Sequence, residues 1–322
     1  MNPILGHDKN FEKVSFGLSK ATLHHGIILA GPKGVGKASF AKAIAAMIVD
    51  PDKANQALIA SGNHPDIITI SRPPKEPPKP GEAVAEDAEL KRSIGVDQIR
   101  RLQSVLTKRP TVAETRVVII DAADDMESSA SNALLKSLEE PPVGCHFLLI
   151  SHASDRLLPT IRSRCQMLRF EPLTSELMTQ VLQKLLPGHD AGEIALLTKL
   201  GNGAPGAAIE FAGLNIGELE NSMQKIVEGG DSDNAIRSAL ASKLALKAAQ
   251  PRYEAFLRRV PALIANQARQ QPAEQNLAAV DAFQRATQLA SRATGLSLDK
   301  NAVILEMGSL LAGLNQHKHT SR

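Results

Sequence analysis

The sequence predicts an α/β domain with a central parallel sheet, followed by a small helical domain and an all-α C-terminal domain. Three observations predict it. Short apolar runs alternate with helical patterns five times over the first 170 residues, the signature of a doubly wound sheet. A glycine-rich turn, Gly31-Pro-Lys-Gly34-Val-Gly36-Lys37-Ala38-Ser39, joins the first apolar run to the first strong helix. Past Glu171-Pro172-Leu173 the strand signals stop, and helical spacing rich in alanine and leucine continues to the end.

Residues 1–25 lead in with a helical pattern at Phe11, Val14, Leu18 and Ala21, and the pair His24-His25 reads as the end of that helix. As metal ligands the two histidines lack partners in the sequence. Gly26–Ala30 reads as a buried parallel strand and Phe40–Val49 as an amphipathic helix. Strand, glycine-rich turn and helix in that order form the setting of a phosphate-binding P-loop. The glycines let backbone N–H groups converge on phosphate oxygens, and the helix N-terminus adds partial positive charge. Lys37 is expected against the terminal phosphates. The candidate nucleotide contacts are therefore Gly31, Gly34, Gly36, Lys37, Ala38 and Ser39. One position departs from the motif, which needs a hydroxyl after the lysine to ligate magnesium. Ala38 offers a methyl, and Ser39 is turned by roughly 100° on the helix.

Ile67–Ile70 is the second strand. Residues 71–93 carry Pro73, Pro74, Pro77, Pro78 and Pro80 among many charges, and a mobile loop is expected there; a proline-rich ligand for a partner is the alternative. Val96, Ile99, Leu102, Val105 and Leu106 mark one face of a helix that Pro110 closes. Arg116–Asp121 is a β-branched run, hence a central strand whose last carboxylate meets the ligand edge of the sheet. A helix over about 127–140 stops at Pro141-Pro142, and the strand His146–Ser151 ends in a hydroxyl at the same edge. Asp121 and Ser151 thus join the candidate site. Leu157–Ile161, the run Arg162-Ser163-Arg164-Cys165 and a last strand, Gln166–Phe170, complete the α/β part. The predicted domains are 1–172, 173–214 and 215–322, with Gly201-Asn-Gly-Ala-Pro-Gly206 interrupting the second.

Composition narrows the function classes. Among 322 residues, 43% are hydrophobic and 22% charged, an ordinary soluble balance. With no Trp, one Tyr and eight Phe, the core is aliphatic and the chain lacks a stacking platform for single-stranded nucleic acid. A net charge of +3 is too small to argue for nucleic-acid binding. No apolar run reaches the ~20 residues of a membrane span, and no leader pattern opens the chain, so a cytoplasmic protein with no membrane partner is expected. Cys145 and Cys165 are too few for a disulfide framework or a four-ligand zinc site, and both read as small buried hydrophobes.

The order and spacing of the P-loop, Gly62-Asn-His64-Pro65-Asp66, Gly95-Val-Asp97, Asn132-Ala-Leu-Leu-Lys136, Leu138-Glu-Glu-Pro-Pro142 and Ser163-Arg164-Cys165 go further. Together these segments resemble bacterial clamp-loader subunits of the AAA+ superfamily, above all the delta prime branch belonging to the DNA polymerase III holoenzyme. The resemblance implies an AAA+ domain, a helical lid over 173–214 and a collar over 215–322. It also implies a ring shared with ATPase (gamma/tau) subunits and a delta subunit. In such a ring ATP binding opens the β sliding clamp, and primer–template DNA triggers hydrolysis and release.

The departures from that pattern matter as much. An active member ends its Walker B strand in Asp-Glu; here Asp121 is followed by Ala122, and Asp124 and Asp125 lie past the strand end. Gly206 stands where the arginine that contacts the γ-phosphate is expected, and the four-cysteine zinc module of the ATPase subunits is missing, so no zinc is expected. Loss of one catalytic group typically costs ~10²–10⁴ in rate. The resemblance therefore implies a subunit that does not hydrolyse ATP, whose loop holds ATP or ADP passively or stays empty, without a proper magnesium site. Arg164 resembles an arginine finger for a neighbour's ATP site; a surface salt bridge is its plainer role, and Arg162 is the weaker candidate. The competing function is an active AAA+ clamp-loader or motor ATPase in which Asp124 or Asp125 replaces the missing glutamate. A small-metabolite kinase lacks its lid arginines here.

Overall fold

The central strands are runs of Val, Ile and Leu without a polar break, so both of their faces must be covered. The computed structural model, which describes residues 5–76, 88–269, 276–296 and 298–319, covers them with helices. The chain divides into two compact units, Met1–Ala208 and Ile209–Arg322.

The first unit opens with α1 (Asp8–Ser19), β1 (Gly26–Ala30), α2 (Lys37–Val49), α3 (Gln56–Ala60) and β2 (Ile67–Ser71). It continues through α4 (Val96–Leu106), β3 (Arg116–Asp121), α5 (Ser128–Glu139), β4 (Cys145–Ser151), α6 (Pro159–Arg162) and β5 (Gln166–Arg169). The five strands form one parallel sheet in the order β2-β3-β4-β1-β5. Strand side chains alternate between faces. Ile27 and Leu29 of β1 join Val14, Phe40, Ile44 and Ile48 on the α1/α2 side. Ile28 and Ala30 join Ile99, Leu102, Leu134, Leu138 and Ile161 on the α4/α5/α6 side. The predicted α/β architecture is the one that forms.

Register aligns the functional edge. Ala30 pairs with Ser151 and Asp121 with Ile150, so β1, β3 and β4 end level with one another. Several details differ from the sequence reading. The first helix ends at Ser19, so His24 and His25 are not its terminus. They lie in the connection before β1, with rings stacked 4.4 Å apart and His25 Nε2 donating to the Leu138 carbonyl (3.0 Å). The short helices α3 and α6 have too few residues to show a 3.6-residue period. The ends of the 71–93 stretch are pinned together: Lys75 N donates to Glu89 O and Lys91 N to Pro73 O, both at 2.7 Å. The rest of that predicted loop, 77–87, lies outside the described residues.

One buried ion pair ties β2 to β3. Asp66, fully buried, accepts the amides of Thr111 (2.8 Å), Val112 (2.7 Å) and Ala113 (3.0 Å) and Arg116 Nη2 (3.1 Å). Arg116 also donates to the carbonyls of Val105, Lys108 and Arg109. Burial alone would raise the Asp66 carboxyl, but the three amides and the guanidinium hold it below its ordinary value. Cys145 is buried and Cys165 half-buried, and desolvation pushes their thiols up to about 11 and about 12.

Three helices follow the sheet: α7 (Ser175–Leu185), α8 (Ala191–Gly201) and α9 (Pro205–Ile209). Thr174 and Asp190 cap the first two by accepting the amides of Leu177 (3.4 Å) and Glu193 (2.8 Å). Leu173 N donates to Gly203 O (2.8 Å), folding the turn before α9 back onto the end of the sheet domain.

The second unit holds α10 (Ile216–Gly229), α11 (Ala235–Leu244), α12 (Gln250–Arg269), α13 (Asn276–Leu296) and α14 (Lys300–His319). Here α14 packs on α10 and α11, and α12 on α13. Asp231 accepts the amides of Ile236 and Arg237 at the start of α11, and the Arg237 guanidinium extends to Ser309 on α14. Among the described residues no helix is long and apolar enough to cross a membrane.

Removing one partner of a buried pair leaves a charge uncompensated, which costs about 3–5 kcal/mol. Asp66→Ala is expected to lower stability by that amount at pH 7 in urea unfolding. Because the folded pKa lies below the unfolded value near 3.9, the pair's stabilisation holds above that value and fades as pH falls through the folded pKa. The gap between wild type and variant should therefore narrow below about pH 4.

Candidate functional site

The glycine-rich turn leaves β1 at the edge where Asp121 and Ser151 end their strands, and Gly31 N donates to Ser151 O (3.2 Å). Gly34 (φ +81°) and Gly36 (φ +106°) take the left-handed backbone that an L side chain resists, and α2 starts directly after them. From behind, His7 donates Nε2–H to the Val35 carbonyl (2.8 Å) and packs its ring against Phe170. Burial pushes the His7 imidazole below its ordinary value, which favours the neutral donor.

Lys37 is buried, and its ammonium donates to the carbonyls of Gly31 and Pro32, both at 2.6 Å. Burial lowers its pKa to about 8, against the opposing pull of the Asp124 and Asp121 carboxylates. The Ala38 methyl packs with the apolar cluster on the α1/α2 face, and Ser39 is exposed. Ser151 is fully buried, and its hydroxyl has no hydrogen-bond partner among the described residues. Beyond the end of β3, a 3-10 turn over Ala123–Asp125 carries Asp124 back towards the loop, where Oδ1 accepts the His152 amide (2.9 Å). Asp125 turns away to pair with Arg72 (3.2 Å).

The loop is also covered from above. Gly206 N donates to Gly34 O (2.8 Å), so the first turn of α9 sits on the glycine-rich loop. A Cβ at 206 would come within 2.9 Å of Gly34 Cα, and a Cβ at 34 within 2.7 Å of the Ala207 amide nitrogen. Two glycines therefore meet backbone to backbone.

These features coincide with a family match. The family described as DNA polymerase III, delta subunit matches residues 6–174, just over half of the chain. The chain belongs to this family. A delta' subunit of DNA polymerase III from Pseudomonas aeruginosa is 33% identical over 64% of this chain and 60% of its own length. The Escherichia coli delta' subunit is 28% identical over 69% of this chain and 66% of its own length. Both matches thus take in less than two thirds of those relatives. Among solved structures, a DNA polymerase III gamma subunit-related protein from Thermotoga maritima is 17% identical, with a TM-score of 0.42 over 95% of this chain and 99% of that one.

In this family member the structure gathers Gly31, Gly34, Gly36, Lys37, Ala38, Asp121 and Ser151 at one sheet edge and leaves Ser39 on the outside of α2. Arg164 lies elsewhere. It precedes β5, whose Gln166 pairs with Ile27 at the start of β1, so it stands at the opposite edge, a strand length of about 15 Å away. His7 and His152 belong to the surroundings of the loop and were missed, whereas Asp124, weighed from the sequence only as a replacement for the missing glutamate, lies near Lys37. Asp124 had a signal, since two acids follow the β3 strand; a lone histidine near the start of a chain has none.

The buried ammonium makes the site pH-sensitive. Lys37 has a folded pKa near 8 against about 10.4 unfolded, so between these values the unfolded chain binds more protons and stability rises with pH. The stability of wild type minus that of Lys37→Met is expected to increase from pH 8 to pH 10, read from paired denaturant titrations. A flat difference would show that the ammonium titrates normally.

Proposed function

We propose that this chain is a delta prime type subunit of a DNA polymerase III clamp loader, one that does not hydrolyse ATP itself and supplies Arg164 to a neighbour. The observation that carries the non-hydrolysing part is the seating of Gly206 on Gly34 (2.8 Å). An arginine at 206 could reach a γ-phosphate only after its Cβ displaced α9 from the loop. Two further features point the same way. The Ala38 methyl is committed to the apolar cluster and ligates no metal. Ala122, in the position of the water-activating glutamate, is buried and apolar. The residues present do not fit a magnesium–nucleotide pair poised for hydrolysis, and ATP or ADP taken up by the loop is a passive ligand. Lys37 would first have to leave the two loop carbonyls that now hold it.

Family membership and the delta' relatives support the place of the chain in a loader. In this reading the helices after residue 173 act as a lid, 215–322 forms the collar, and gamma/tau and delta subunits are the direct partners. The β clamp and primed DNA are reached through them. The position of Arg164, at the sheet edge away from its own P-loop, supports action on another subunit's nucleotide, where a finger supplied in trans is worth ~10³–10⁵ in rate.

A second reading, an active ATPase, is favoured by one observation: Asp124 lies near Lys37, although its carboxylate is engaged by the His152 amide. Reconstitution separates the two. Arg164→Ala is expected to slow single-turnover hydrolysis at the adjacent subunit's site by ~10³-fold or more, while the isolated chain turns over no ATP. Turnover by the isolated chain that disappears in Lys37→Ala and Asp124→Asn would establish the motor instead.

A further inference from the structure

Arg164 is not extended into solvent. Its side chain is 35% exposed, and Nη2 lies 2.7 Å from Oε1 of Glu139, the last residue of α5. Nη1 donates to the Thr160 carbonyl (3.0 Å) and to Ser163 Oγ (3.3 Å). Both terminal nitrogens, the two that would grip a phosphoryl oxygen, are thus turned onto the chain's own surface. The seat has a physical basis. A carboxylate at a helix C-terminus stands against the negative end of the helix dipole, and a nearby cation relieves both charges. Glu139 and Glu140 close α5 with only Lys136 as a basic residue in its last turn. Arg164 comes from the separate segment between α6 and β5.

We infer that Glu139 is a positioning residue for Arg164: it holds the guanidinium folded back until a neighbouring subunit presents a nucleoside triphosphate, and then releases it. This rests on the finger role proposed above. The strength of the contact suits a latch. Ion pairs this exposed shift an equilibrium by about fivefold at most. A triphosphate, with several charges and geometry suited to two parallel hydrogen bonds, is the stronger partner for a guanidinium. Ligand binding then shifts the population from folded-back to extended. The carboxylate delays engagement before the site is assembled without competing once the nucleotide is in place.

The test uses the reconstituted loader carrying wild type, Glu139→Gln, Glu139→Asp, Arg164→Ala or the Glu139→Gln/Arg164→Ala double variant. ATP hydrolysis is measured with and without primed DNA. Glu139→Gln is expected to raise DNA-independent hydrolysis by about two- to fivefold and to leave the DNA-stimulated maximum unchanged. Glu139→Asp should stay near wild type, and the double variant should behave as Arg164→Ala alone. If Arg164→Ala slows hydrolysis while Glu139→Gln changes nothing or slows it too, the latch is wrong and the finger stands. If Arg164→Ala leaves hydrolysis unchanged, the finger reading falls and takes the latch with it.

Discussion

A parallel sheet has two apolar faces and two unlike edges, and most of this molecule follows from that. Each crossover must return the chain to the starting edge, so helices are laid over both faces and all strands point the same way. The C-terminal ends of β1, β3 and β4 therefore assemble the glycine loop, Asp121 and Ser151 at one edge. The segment before β5 is delivered to the other edge, which is where Arg164 lies. The glycine-rich loop and Arg164 are thus kept a strand length apart within one chain, as the proposed action of Arg164 on a neighbouring subunit's nucleotide requires.

The glycine loop itself is held by contacts that leave it little freedom. His7 carries it from behind through Val35, Lys37 closes onto the carbonyls of Gly31 and Pro32, and Gly206 rests on Gly34. In an active nucleotide site the ammonium would meet phosphate and the space above the loop would admit an arginine. Here the same groups are satisfied by the protein. Arg164 shows a related economy at the other edge, since Glu139, Thr160 and Ser163 occupy its donors.

Much of the fold was legible because burial on both faces forces long apolar runs, and Arg116–Asp121 and His146–Ser151 are such runs. Ala38 was legible as a departure within the glycine-loop motif itself, whereas Ala122 and Gly206 stood out only against the family pattern that the chain resembles. Short helices such as Gln56–Ala60 were not, since a single turn sets up no period. The end of the first helix was misplaced because His24-His25 looks like a polar terminus, whereas the helix stops at Ser19 and Ala21 takes a positive φ.

By itself the sequence determined the α/β class, the order of the strands along the chain, and the glycine loop with Ala38 after its lysine. These are properties of local composition and spacing. Only the tertiary structure decided which residues meet: Asp66 with Arg116, Gly206 with Gly34, His7 with Val35, Asp124 with the His152 amide, and Glu139 with Arg164. Such pairs join segments far apart in the chain. Their formation depends on the register of the sheet and the packing of helices upon it, which leave no periodic mark in the sequence.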